Sequence, residues 1–214
     1  MQITFIAHAT FLFELSDGRR IILDPYQGDT FRGRFRYPPF VTKVDFAVIT
    51  HEHIDHNYVG DLEGTPVIVR NDWRDGGLCI TSHFAWHDKF GGTKFGGGVL
   101  MKVIEADGLR IAHLGDCGEI LTDAQIESLG RIDVLFIPTG GFYTIDGDEA
   151  ADLARRIGAR TTIPCHYGSP LCSLPIEGPE RFLAHFDDVT HWPTPTADAA
   201  SLPEGIVVMP MHFA

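Results

Sequence analysis

Short apolar runs separated by turn residues fill most of the chain. Met1 to Ile6 and Thr10 to Leu15 are apolar stretches broken at Ala7-His8-Ala9. Asp17-Gly18 then marks a hairpin turn before Arg20 to Leu23. Three consecutive antiparallel strands are therefore predicted before any helix. Asp45 to Thr50 (DFAVIT) is apolar and β-branched and reads as a buried strand. Pro66 to Val69, Leu78 to Asp88 and Val99 to Ile104 follow as strands, and Asp107-Gly108 returns the chain as Leu109 to Leu114. Asp133 to Pro138 (DVLFIP), Thr161 to Gly168 and Gly205 to Met209 complete the set; the first of these has the unbroken apolar run of a fully buried strand.

Helical periodicity is sparser. Asn57 to Leu62 is expected to begin a short helix. Thr122 to Leu129 carries a capping pattern, with Thr122 at the N-cap and Gln125 three residues on. Asp148 to Ile157 is amphipathic, placing Ala150, Leu153, Ala154 and Ile157 on one face and Arg155-Arg156 near its end. A last helix is predicted over Pro179 to Phe186, before a proline-interrupted stretch around Trp192. The segment Tyr26 to Thr42 has no periodicity, and its Arg32, Arg34 and Arg36 alternate with Phe31, Phe35 and Tyr37. It is either a surface loop anchored by its aromatics or a lid presenting guanidinium groups, Arg34 among them, to an anionic small-molecule substrate.

Composition narrows the classes. The chain has 214 residues, 44% of them hydrophobic, enough for one domain over 1–214 with a full core. Its 17 basic residues against 29 acidic ones give a net charge of −12. With no basic patch visible, a nucleic-acid partner is not expected. Cys79, Cys117, Cys165 and Cys172 form no short-spaced framework. No apolar run approaches ~18 residues and no leader pattern opens the chain, so a soluble cytoplasmic protein without a membrane partner is expected. Glycines at 91, 92 and 96 to 98 do not make a phosphate loop, because a strand follows them and no Gly-Lys-Ser/Thr does.

The chemistry concentrates in His51-Glu52-His53-Ile54-Asp55-His56. Imidazole nitrogens and carboxylate oxygens ligate divalent transition metals, and four of these six residues carry them. On a helix the set would split between faces. An extended stretch puts His51, His53 and Asp55 on one side, and a following turn can swing His56 back. The cluster sits where a strand ends, the usual place for ligand crevices in open α/β sheets. His83 and His87 share one face of a later strand and either can supply a further ligand; His87 is favoured because the strand ends there before Asp88 and a glycine-rich loop. Asp116, between Gly115 and Cys117-Gly118 at another strand end, is well placed to reach a metal. Cys165 reads as a core thiol. His8 is either a buried histidine satisfied by backbone or a supporting group near the metals, and His113 is supporting or structural. Tyr143 is a packing residue or a donor to a developing oxyanion. His185, His191 and His212 have no partners at ligand spacing.

These motifs resemble the metallo-β-lactamase superfamily. The HxHxDH signature appears as His51 to His56, the fourth motif as His113-Leu114-Gly115-Asp116, and the fifth as the strand ending at His166. Ala7-His8-Ala9-Thr10-Phe11-Leu12-Phe13-Glu14, Asp24-Pro25, the His87-Asp88 pair and Gly140-Gly141-Phe142-Tyr143-Thr144 are similar to a branch of small Zn-dependent hydrolases, itself similar to ascorbate-6-phosphate lactonase-like proteins; Ala7 replaces that branch's usual glycine. The resemblance runs from about residue 3 to 168. It implies an α/β fold, an αββα sandwich of two sheets with helices outside. It also implies one metal on His51, His53 and His87, a second on Asp55, His56 and His166, and Asp116 bridging, so that Asp55 and Asp116 are the carboxylates of the catalytic centre. The implied function is a binuclear hydrolase using metal-bound hydroxide on a small ester, lactone or phosphoester. Zinc is the default, and manganese or iron suits the same donors. The rival classes are an RNA or cyclic-nucleotide phosphodiesterase, which the acidic charge disfavours for RNA, and a non-hydrolytic metal-binding or di-iron redox protein.

Overall fold

The computed structural model describes residues 1–214. The predicted opening meander forms, with β1 (Gln2–Ala7), β2 (Thr10–Glu14) and β3 (Arg20–Leu23) as antiparallel neighbours. After the long irregular segment come β4 (Thr42–Lys43) and β5 (Phe46–Val48), and β5 pairs parallel with β3. β6 (Leu62–Glu63) joins β4 in a small ribbon, while β7 (Val67–Val69) extends the main sheet beside β5. β8 (Trp73–Asp75), β9 (Leu78–Trp86), β10 (Gly98–Ala106) and β11 (Leu109–His113) open a second sheet as an antiparallel run. That sheet turns parallel at β12 (Val134–Pro138) and β13 (Thr161–Cys165), because α1 (Asp123–Leu129) and α2 (Gly147–Ile157) supply the crossovers. After α3 (Glu180–Leu183), β14 (Val189–His191) and β16 (Gly205–Val208) complete it, and β15 (Thr196–Asp198) crosses to the first sheet beside β1.

The two sheets, of six and eight strands, lie face to face over the main core. Phe11 is sandwiched there between Phe5 and Phe136, with ring centroids 4.6 and 3.8 Å away. A second core, including Met101, Val103, Leu135, Ala150, Leu153 and Phe182, seats the helices on the eight-stranded sheet. The α/β sandwich stands. Its α1 and α2 begin on capping boxes at Thr122 and Asp146, and α2 stops at Gly158, whose φ of 63° suits glycine.

Strand direction then positions the site. β1, β3 and β5 all run one way in the first sheet, as do β9, β11, β12 and β13 in the second. The carboxyl ends of each set therefore share one edge, and loops from the two edges meet.

Three expectations are corrected. Asn57 to Leu62 forms no helix: the Tyr58 amide bonds to Pro25 O, and the next residues lead into β6. Six residues cannot offset the cost of nucleation without packing to hold them. The helix predicted over Pro179 to Phe186 shortens to α3, although Phe186 remains packed on Phe182 with centroids 5.1 Å apart. The stretch around Trp192 holds two strands, β14 and β15, paired to different sheets. Phe11→Ala should lower unfolding free energy by about 3–5 kcal/mol in denaturant titration of the metal-free protein. Phe84→Ala, on the exposed side of β9, should cost less than ~1 kcal/mol.

Candidate metal centre

Each donor lies at or just beyond a strand end. His8 follows β1, Asp24 follows β3, and His51 to His56 follow β5. From the other sheet come His87 after β9, Asp116 after β11 and His166 after β13. The hexapeptide is not extended as the alternation predicted. The amides of His56 and Asn57 both bond to His53 O, making a tight turn. That turn separates His51 and His53 from Asp55 and His56, so the motif serves two groups of donors rather than one face.

The first group is His51, His53, His87 and Asp116; the second is His8, Asp55, His56 and His166. Within each group the donor atoms lie within 4.8 Å of one another. In the first, His53 Nδ1 is 3.0 Å from His51 Nε2 and 3.2 Å from His87 Nε2. Ligands 2.0–2.1 Å from a common ion stand about 3.0–3.4 Å apart, so this spacing fits a metal. Asp116 touches both groups. Its Oδ2 is 3.3 Å from His87 Nε2 and 3.2 Å from His166 Nε2, while Oδ1 is 3.0 Å from His56 Nε2.

A residue that was visible in the sequence only as part of an Asp-Pro pair organises the cluster. The buried Asp24 carboxylate accepts from Thr50 N at 2.8 Å, Thr50 Oγ1 at 2.7 Å, His56 Nδ1 at 2.9 Å and His113 Nε2 at 2.9 Å. Since the Thr50 hydroxyl donates to Asp24, its lone pairs accept from His51 Nδ1 at 2.9 Å. His87 Nδ1 likewise donates to Tyr143 O at 3.1 Å. These acceptors fix the tautomers of His51, His56 and His87, leaving each Nε2 lone pair directed at the centre. No local signal distinguishes Asp24 from an ordinary turn aspartate; its role depends on β3 lying beside β5.

Electrostatics match this arrangement. Burial pushes the His51 imidazole down to about 3 and His8 down to about 4, so both are neutral and free to ligate near pH 7. Burial also opposes charge on Asp116, but His166 and His56 beside it hold the carboxyl well below the usual range. Burial opposes charge on His56 too, and there Asp116 and Asp55 outweigh it and raise its pKa. Burial opposes charge on His87 as well, and Asp116 raises its pKa. His51 and His8 are thus neutral donors, while a cation would have to displace the proton that the carboxylates favour on His56 and His87.

His83 stands apart, bonded to Ser128 Oγ at 2.9 Å and Thr81 Oγ1 at 3.1 Å. His113 reaches only Asp24. His185 pairs with Asp148 on α2 at 2.8 Å, away from both donor groups. A cavity of about 370 Å³ opens over the donors, walled by Phe31, Ile54, Phe95, Tyr143 and Leu174, with Glu52 as its only charged lining residue outside the donor groups. The arginines of the irregular segment do not line it. That segment is held by its aromatics: Phe35 and Tyr37 are buried, and Tyr37 Oη meets Ser169 Oγ at 2.7 Å. Arg34 is exposed, and Phe31 supplies the segment's contribution to the wall.

Comparison with known proteins agrees with this geometry. Residues 2–166 match the profile of the beta-lactamase superfamily domain. A UPF0173 protein of Pyrococcus furiosus is 30% identical over 194 residues, covering 79% of this chain and 84% of that one. A UPF0173 metal-dependent hydrolase of Methanospirillum hungatei is 28% identical over 193 residues, 79% of this chain and 84% of its own. The crystal structure of a Thermotoga maritima protein, described as a candidate Zn-dependent hydrolase of the metallo-beta-lactamase superfamily, superposes with a TM-score of 0.79 at 29% identity over 97% of both chains. A metallo hydrolase of Ignicoccus hospitalis, 22% identical with a TM-score of 0.67 over 100% of this chain and 96% of that one, shares the fold.

Two measurements test these placements. Asp24→Asn should weaken metal binding by ~10–100-fold in a chelator-competition titration, as expected when an outer hydrogen-bond partner of the ligands is lost. His87→Ala should reduce affinity far more than His83→Ala; the opposite ranking would place the donor at the wrong point of β9.

Proposed function

Because the chain belongs to the beta-lactamase superfamily and is a metal-dependent hydrolase, we propose that it uses two divalent ions to hydrolyse a small ester, lactone or phosphoester. The observation that carries this reading is Asp116, whose carboxylate lies within 3.3 Å of imidazoles from both donor groups at the floor of one cavity. His51, His53 and His87 would hold the first ion, and Asp55, His56 and His166 the second. Ions held there would lower the pKa of a bound water to ~7 and polarise the oxygen of the bond to be broken.

The chain's own side chains supply the rest. Asp24 holds His56, and through Thr50 also His51, in ligating tautomers. The Tyr143 phenol, protonated at neutral pH in any case and with its pKa raised further by burial, can donate to a substrate oxygen at the cavity wall. The apolar walls exclude water and accept a hydrocarbon portion of the substrate. A volume of about 370 Å³ suits a small molecule. The net charge of −12 disfavours nucleic acid. Zinc suits the donors best, with manganese and iron as compatible ions. No helix is long and apolar enough to cross a membrane, and we place the activity in the cytoplasm.

Elemental analysis of protein purified without chelator should give close to two transition-metal ions per chain, with turnover of chromogenic esters, lactones or phosphodiesters. A folded protein with no metal affinity would overturn the reading. Asp116→Asn keeps the size of the side chain but loses its charge. It should leave the fold intact, weaken one site much more than the other, and lower kcat beyond the ~10–100-fold attached to an outer partner. Both ions retained with near wild-type turnover would show that Asp116 does not bridge.

A further inference from the structure

The two proposed sites are unequal, and the difference is His8. It is fully buried, and neither ring nitrogen has a hydrogen-bond partner. Buried polar atoms without partners are rare in folded proteins, and a missing ion is one recognised cause. The residue also adopts a φ of 54°, a conformation that is unfavourable for most side chains. Strain and an unpaired imidazole are two separate costs at one position. Packing against apolar neighbours satisfies neither ring nitrogen.

The surroundings direct the ring toward the donor cluster. Its backbone oxygen accepts from His166 N at 2.8 Å, tying the β1–β2 turn to the end of β13. Phe35 lies edge-on to the ring at 5.0 Å, an apolar neighbour with no acceptor to offer. Toward the cluster, the His166 ring centroid is 4.0 Å away and Asp55 Oδ2 is 3.5 Å from His8 Nε2. A donor atom of His8 falls within the same 4.8 Å limit as those of Asp55, His56 and His166.

We propose that His8 is itself a ligand of the second ion, so that this ion has five protein donors: His8, Asp55, His56, His166 and Asp116. The first ion has four: His51, His53, His87 and Asp116. A water on each ion would make the second site six-coordinate and the first five-coordinate. The second site therefore favours an ion at ease with six ligands, manganese or ferrous iron as well as zinc. This rests on the two-ion reading above. The rival role is an outer one, in which His8 only donates to Asp55 and thereby positions it.

The test uses the 214-residue chain, stripped and reloaded, with zinc and cobalt as probes. His8→Gly is compatible with positive φ and leaves a space that imidazole can enter. His8→Asn also tolerates that backbone and restores a donor toward Asp55, but not an imidazole nitrogen. Circular dichroism of the stripped variants confirms folding. For His8→Gly, second-site zinc affinity should fall by more than ~100-fold with the first site unchanged, exceeding the ~10–100-fold for loss of an outer partner. Added imidazole should restore the affinity, and His8→Asn should not. The second equivalent of cobalt should add the weak visible absorption of a six-coordinate ion in wild type, and severalfold stronger bands in both variants. Unchanged cobalt spectra, or full rescue by His8→Asn, would overturn the ligand assignment while leaving the two-ion reading in place. A wild-type chain that binds no second ion would overturn both.

Discussion

The Asp24 carboxylate is the constraint on which the centre depends. An ionised group without solvent is costly unless every lone pair is used, and here four donors converge on it. Those donors belong to the chain after β5 and to the end of β11, so one buried charge fixes the relative position of the two sheets at the edge where they meet. Its effect reaches the donors through the tautomers it imposes. If the acceptor were lost, His56 could present either nitrogen inward, and Thr50 would no longer orient His51. Burial keeps His51 neutral, whereas Asp116 has its pKa lowered against burial by the His166 and His56 rings beside it, the second of which Asp24 holds in place.

Much of this was legible in the sequence because the signals are local. β5 announces itself by DFAVIT, α2 by its spacing of alanine and leucine, and the donors by histidines placed where apolar runs stop. His83 and His87 were separable by the same logic: His83 is within β9, and His87 follows the end of the strand. What stayed hidden depends on neighbours distant in the chain. Asp24 becomes a hub only because β3 pairs with β5, and the Thr50 hydroxyl joins it only there. The expectation for the hexapeptide failed for a related reason. Alternation assumes an extended backbone, whereas two amides converging on His53 O bend it. Aromatic and arginine residues alternating over 31–37 gave no indication of which set faces the cavity, since that is decided by the packing of Phe35 against Tyr26 and His8.

The cavity joins a polar floor to apolar walls. Donors contributed by separate strand ends leave the floor rigid, while Phe31, Phe95 and Tyr143 come from loops. This division lets a family keep its chemistry and vary its specificity, because wall residues can change without altering the strands that carry the donors.

The order in which the chain contributes its donors has a kinetic consequence. His8 lies near the start, the hexapeptide in the first sheet, and His166 at the end of a strand far along the second. No short fragment assembles either donor group, so ion capture must follow docking of the sheets and comes late in folding. Once captured, an ion closes loops spanning most of the chain and acts as a removable cross-link between the two halves of the sandwich. Removing the ion through the cavity above it breaks that cross-link, so the edge where the sheets meet should open more often in the stripped protein than in the loaded one.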